Sequence, residues 1–157
     1  MTALTIAAKS TQVTNLDTQS PTLLNAYESR AKLRYFYFDY TANGALAADS
    51  IIELVRVPAG KMIPHLSKVY HGALGAGRTM DVGYQEYQPN DGKAAVVAAA
   101  IDAFADGIDV SSAGNFDLVD DTDGIVLTGK TSVLAKIIGD TFQDTHNIHG
   151  HVVMAVE

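Results

Sequence analysis

At 157 residues, with 47% apolar and 18% charged residues, the chain has the length of one ordinary domain and enough apolar surface to fold around one core. The absence of cysteine excludes disulfides and thiolate metal sites, and a formal charge of −7 opposes a protein whose main task is to grip nucleic acid. No run of about 18 apolar residues is present to cross a bilayer as a helix, and residues 1–6 lack the basic region and apolar core of a signal peptide. The expectation is a protein made and folded in a cytoplasm, with neither membrane nor nucleic acid as partner.

Residues 1–30 are polar and rich in Thr, Ser, Asn and Gln, with isolated apolar residues at Leu4, Ile6, Val13, Leu16, Leu23 and Leu24. Such spacing buries little within one chain, but it suits an extended arm laid across a neighbouring subunit. The division expected is therefore an N-terminal arm over 1–30 and a β-rich domain over 31–157. Leu4, Ile6, Leu16, Leu23 and Leu24 are the candidate contacts on a partner.

From residue 33 the pattern is that of strands. Segment 33–40 is dense in aromatics, which suit a pleated surface, and Asn43-Gly44 marks a turn. Segment 50–57 is a second strand, stopped by Pro58-Ala59-Gly60, and 61–70 is extended but broken at Pro64. Segment 79–84 alternates, with Met80, Val82 and Tyr84 on one face, and reads as a half-buried strand.

After the turn at 89–92, residues 93–106 read as an Ala-rich helix, with Val97, Ile101, Phe104 and Ile108 at helical spacing and Gly107 as its stop. Short strands follow at 115–119, 125–127, 131–138 and 151–156, with glycines between them. About seven short strands with regular turns predict a β-sandwich or barrel with one short helix.

Four patterns could carry chemistry. Gly72-Ala-Leu-Gly-Ala-Gly77-Arg78-Thr79 has the glycine spacing of a phosphate loop, with Arg at the Lys position. That motif requires a helix immediately after it, whereas a strand follows here. His146, His149 and His151 gather three imidazoles in six residues, with His149 and His151 on one face of a strand and His146 in the turn before it. They are the best metal candidates, though the favoured reading is polar surface histidines at a turn. Asp120-Asp121-Thr122-Asp123-Gly124 resembles part of a calcium loop, but Val119 and Lys130 occupy the end positions, and a solvated acidic turn is preferred. The aromatic run 35–40 beside Arg34 could stack bases, but the net charge opposes this and core packing explains it more simply. No Gly-x-Ser-x-Gly elbow is present. No catalytic residue, metal ligand or cofactor is assigned, and the chain is expected not to be an enzyme.

The order of segments carries a resemblance. Asp49-Ser-Ile-Ile-Glu-Leu-Val-Arg-Val-Pro58-Ala59-Gly60, then Gly72-Ala-Leu-Gly75, then Thr79-Met-Asp81-Val82-Gly83, then the Ala-rich segment ending at Gly107 and the Thr-rich Lys130-Thr-Ser-Val-Leu-Ala135, resemble small head proteins of tailed bacteriophages. The resemblance covers about residues 49–157. It implies a jelly-roll-like β-sandwich acting as a decoration (cement) protein on the capsid surface, often as a homotrimer bound to the major capsid protein lattice. The 146–151 histidines and the long Ala-rich segment depart from that pattern. They leave a tail, connector or fibre-base role as the alternative, beside a carbohydrate- or small-ligand-binding sandwich and, last, a metal-dependent enzyme built on the histidines. An apolar content above the needs of one small core predicts self-association.

Overall fold

The computed structural model describes residues 6–10, 13–14, 33–118, 125–142 and 145–156. The strands are β1 (Ile6–Lys9), β2 (Leu33–Thr41), β3 (Ile51–Val57), β4 (Gly60–Met62), β5 (Lys68–His71), β6 (Thr79–Tyr84), β7 (Ala100–Asp109), β8 (Gly114–Asp117), β9 (Val126–Leu127), β10 (Thr131–Ile138) and β11 (Asn147–Ala155). They form two sheets. The first has the order β1-β3-β10-β6-β7; the second runs β8-β5-β11-β4-β9, with β2 also paired to β11. The architecture is the expected mostly β, jelly-roll-like sandwich rather than a closed barrel.

Alternation builds the core. Along β2, Phe36, Phe38 and Tyr40 turn inward while Tyr35, Tyr37 and Asp39 turn out. Ile52, Leu54, Val55 and Val57 of β3, Val133, Ala135 and Ile137 of β10, and Ile148, Val152 and Met154 of β11 meet them between the sheets. Pro64 ends β4 as anticipated, opening a single 3-10 turn, Pro64–Leu66, that leads into β5. In the second sheet β11 is the hub. Its whole length pairs with β2 on one side, while β5 and then β4 share the other.

The helix expected over 93–106 is not formed. Residues 100–109 are strand β7, and Val97 instead bridges to Tyr87. The Asp91 carboxylate accepts from the Lys93 and Ala94 N–H groups, both at 3.1 Å, as a helix N-cap would, yet no helix follows it. Further on, β7 pairs with β6 through bulges: Met80 faces Ile108, Val82 faces Ala105 and Tyr84 faces Ala100. Extra residues in β7 break its alternation, so that Phe104, Ala105 and Ile108 all pack on the core and the apolar pattern no longer reads as a strand.

The same bulges correct the half-buried reading of β6, for Asp81 and Val82, on opposite faces, are both buried. The β7 backbone at Ala100 and Ile101 crosses directly over Gly83, where a Cβ would overlap the Ala100 carbonyl oxygen. Asp81 accepts from the Gly107 N–H at 2.8 Å, and Gly107 takes the φ of 60° that the bulge requires. Gly107 therefore serves a strand bulge rather than a helix stop.

Candidate interaction surface

The outward face of the β2-β11-β5-β8 sheet carries a compact group of aromatic and imidazole rings. The strand register dictates its rows. Tyr37 faces His151, His151 faces Lys68, and Lys68 faces Asp117; in the next row Asp39 faces His149, His149 faces Tyr70, and Tyr70 faces Asn115. Because residues in register share a face, the two histidines sit side by side in the middle of the sheet, flanked by tyrosines.

The rings pack on one another. The His151 centroid lies 5.9 Å from Tyr35 and 5.8 Å from Tyr37, and the two tyrosines are stacked at 6.3 Å. Tyr70 and His149 stack at 5.3 Å. Lys68 Nζ closes the first row with an ion pair to Asp117 Oδ1 at 3.1 Å. Tyr37 keeps 61% of its surface in solvent, Tyr35 44%, Leu33 42% and Tyr70 36%. Large apolar side chains scattered singly over a surface are ordinary, whereas a group of them on one sheet face is a candidate interaction surface. A shallow depression of about 600 Å³ runs over Tyr37, Asp39, Thr41, Tyr70, Asn147 and His149.

The structure separates the three histidines. His149 and His151 share the outer face, whereas the His146 ring packs edge-on against Phe142, with centroids 5.0 Å apart. Burial, and secondarily the charge of Arg78, hold the His146 imidazole below its usual pKa, which favours the neutral ring. Among the described residues no three His, Asp or Glu side chains converge as metal ligands.

The glycine-rich loop before β6 has a structural use for its arginine. Arg78 is 6% exposed; its guanidinium donates to the Leu74 carbonyl and, through Nη2, to Asp140 Oδ2 at 3.2 Å. A bond from the Thr141 N–H, and then Arg78, lower the Asp140 pKa. The loop thus wraps around the guanidinium instead of offering its N–H groups to a phosphate, and strand β6 follows directly.

Of the candidate contacts in the first thirty residues, Ile6 lies half-buried in β1 opposite Ile51. Leu4, Leu16, Leu23 and Leu24 lie outside the described residues, as does the acidic turn 120–124. Two features of the structure, one on this face and one in the other sheet, carry little signal in the sequence. Tyr70 and Lys68 read only as part of an extended stretch, although their i, i+2 spacing would place them on one face. Glu53 gives no signal at all, standing among apolar residues of β3, yet it is 1% exposed and accepts from Ser132 Oγ at 2.6 Å and Arg56 Nε at 2.8 Å.

No family model matches the chain, and no curated protein matches it significantly. Solved structures do. A chain of the capsid of Ralstonia phage GP4 superposes with a TM-score of 0.61 at 19% identity, over 96% of this chain and 100% of that one. A chain of the cyanophage Pam1 capsid asymmetric unit superposes with a TM-score of 0.55 at 12% identity, over 88% of this chain and 95% of that one. At these identities the likeness is one of fold.

Proposed function

We propose that this chain is a non-enzymatic structural protein of a tailed-phage virion, and specifically a decoration (cement) protein that binds the major capsid protein lattice from outside. The observation that carries the reading is the near full-length correspondence of fold with two chains from phage capsids, joined to an exposed aromatic face of the kind that docks on another protein. Tyrosines supply contact area at low entropic cost, and here they are already stacked, so little ordering remains to be done on binding.

In this reading the β2-β11-β5-β8 face meets the lattice or a neighbouring copy. Residues 1–30 act as an arm on a 31–157 sandwich domain, anchored to its first sheet through β1, with Leu4, Leu16, Leu23 and Leu24 as further contacts on the shell. A homotrimer is the assembly proposed, because a cluster at a local three-fold position repeats weak contacts and gains from their multivalency.

The test is to separate heads from tails in purified particles of the phage that encodes the chain and to detect the chain in each fraction. Recovery with the heads is expected. Recovery with the tails would assign it to the connector or tail, and absence from both would overturn the virion role.

A further inference from the structure

The depression on the β2-β11-β5 face has a one-sided chemistry. The register builds it: Asp39 faces His149 and His149 faces Tyr70 in one row, Thr41 faces Asn147 in the next, and Tyr37 bounds it from the row before. Asp39 is the charged residue of its lining, and among the described residues no Lys or Arg lines it. Lys68, in the row of Tyr37, is engaged by Asp117 at 3.1 Å. The Thr41 hydroxyl and the Asn147 side-chain carbonyl add acceptors beside the carboxylate.

The rings complete the set. Tyr70 is held parallel to His149, with planes 9° apart, and still keeps 36% of its surface in solvent; Tyr37 keeps 61%. The face of a tyrosine ring attracts cations. A guanidinium fits such a place better than an ammonium, because it is planar and weakly hydrated and can lie on a ring while its N–H fork donates to a carboxylate. An anionic partner group would meet Asp39 with no Lys or Arg to offset it, and an aliphatic one would strip water from the carboxylate without pairing it. The formal charge of −7 draws a basic surface toward the chain in the same sense.

The geometry points to a receptor for a basic side chain: the depression between Tyr37 and Tyr70 takes an arginine of the partner surface, with the guanidinium on a tyrosine ring and its N–H groups donating to Asp39. That the partner is a capsid protein rests on the function proposed above. The preference for arginine does not, since it follows from the lining alone.

Nα-acetylarginine methylamide, titrated into the purified chain and followed by NMR of the aromatic side chains, tests the site without any capsid. The expected result is a saturable shift of the Tyr37, Tyr70 and His149 ring signals, with a dissociation constant on the order of 10 mM for a single charged contact. The matching lysine probe should bind several-fold more weakly. Asp39→Asn should weaken the arginine probe at least about fivefold, whereas Asp102→Asn, on β7 of the other sheet, should leave it unchanged. The inference is overturned by the absence of a saturable shift at these rings, by an equal response to Nα-acetylglutamate methylamide or to methyl glucoside, or by an Asp39→Asn chain that binds as tightly as the natural one. If Asp39→Asn does not fold, the ranking of the arginine, lysine, glutamate and sugar probes on the natural chain decides alone. A natural chain that binds the arginine probe but not phage heads would overturn the capsid reading and leave this site standing.

Discussion

The Tyr70 and His149 rings lie parallel across the β5-β11 ladder, with planes 9° apart and centroids at 5.3 Å. On an outward sheet face such a pair contributes only a few tenths to about 1 kcal/mol of fold stability, but it fixes two rings for a partner to meet. Replacing Tyr70 or Tyr37 with Ala should change stability by no more than about 1 kcal/mol. Each should weaken retention on the proposed capsid partner about tenfold, the usual effect of losing a central aromatic contact. Urea denaturation beside a sedimentation assay with capsids separates the two effects.

Gly83 lies beneath the β7 backbone, and a methyl group there would overlap the Ala100 carbonyl oxygen and sit 2.5 Å from the Ile101 carbonyl carbon. Gly83→Ala should therefore displace β7 and cost at least about 2 kcal/mol. Gly107→Ala has open space around it but must hold φ at 60°, and should cost about 1 kcal/mol. The order of the two losses, read from denaturant midpoints, checks the bulged path of β7.

Much of this fold is legible in the amino-acid pattern alone. The i, i+2 alternation of 33–40 separates inward phenylalanines from outward tyrosines, Pro64 divides two strands, and the spacing of His149 and His151 places both on one face. β7 is not legible, because Ile101, Phe104 and Ile108 follow a helical period that only the bulged pairing with β6 explains. The interaction surface is half legible. Alternation gives each strand's outward residues, but the register that brings Tyr70 to His149 joins positions 79 residues apart, and local pattern carries no information about it. Glu53 is illegible for the same reason, since its partner Ser132 lies on another strand.

Arg78 should prove structural. Removing its guanidinium in Arg78→Ala leaves the Leu74 carbonyl without its donor, which should cost about 2 kcal/mol. Arg78→Lys should recover only part of that, because an ammonium cannot reach Leu74 and Asp140 with the same planar fork. Chemical denaturation measures both, and neither variant should show any change in affinity for ATP or inorganic phosphate.

His146 should make stability depend on pH. Its imidazole is held below the ordinary value of 6.5 in the folded chain, chiefly by burial. Well above 6.5 the ring is neutral in both folded and unfolded chains, and its environment costs nothing. As pH falls through 6.5 the unfolded chain takes up the proton first, so stability falls, and it levels off once the folded ring is protonated too. Melting temperatures from about pH 8 to about pH 5 should therefore decline more for the natural chain than for His146→Gln.

Binding of this sandwich to a phage head through its aromatic face, as proposed, can be observed directly. The most direct measurement is electron cryomicroscopy of undecorated heads of the encoding phage, incubated with the purified chain or with its Tyr37→Ala, Tyr70→Ala double variant. Ordered density is expected for the natural chain at repeated lattice positions, with the β2-β11-β5-β8 face turned toward the shell or a neighbouring copy, and strongly reduced occupancy for the variant. Bare lattices with the natural chain, or equal occupancy for both proteins, would contradict it.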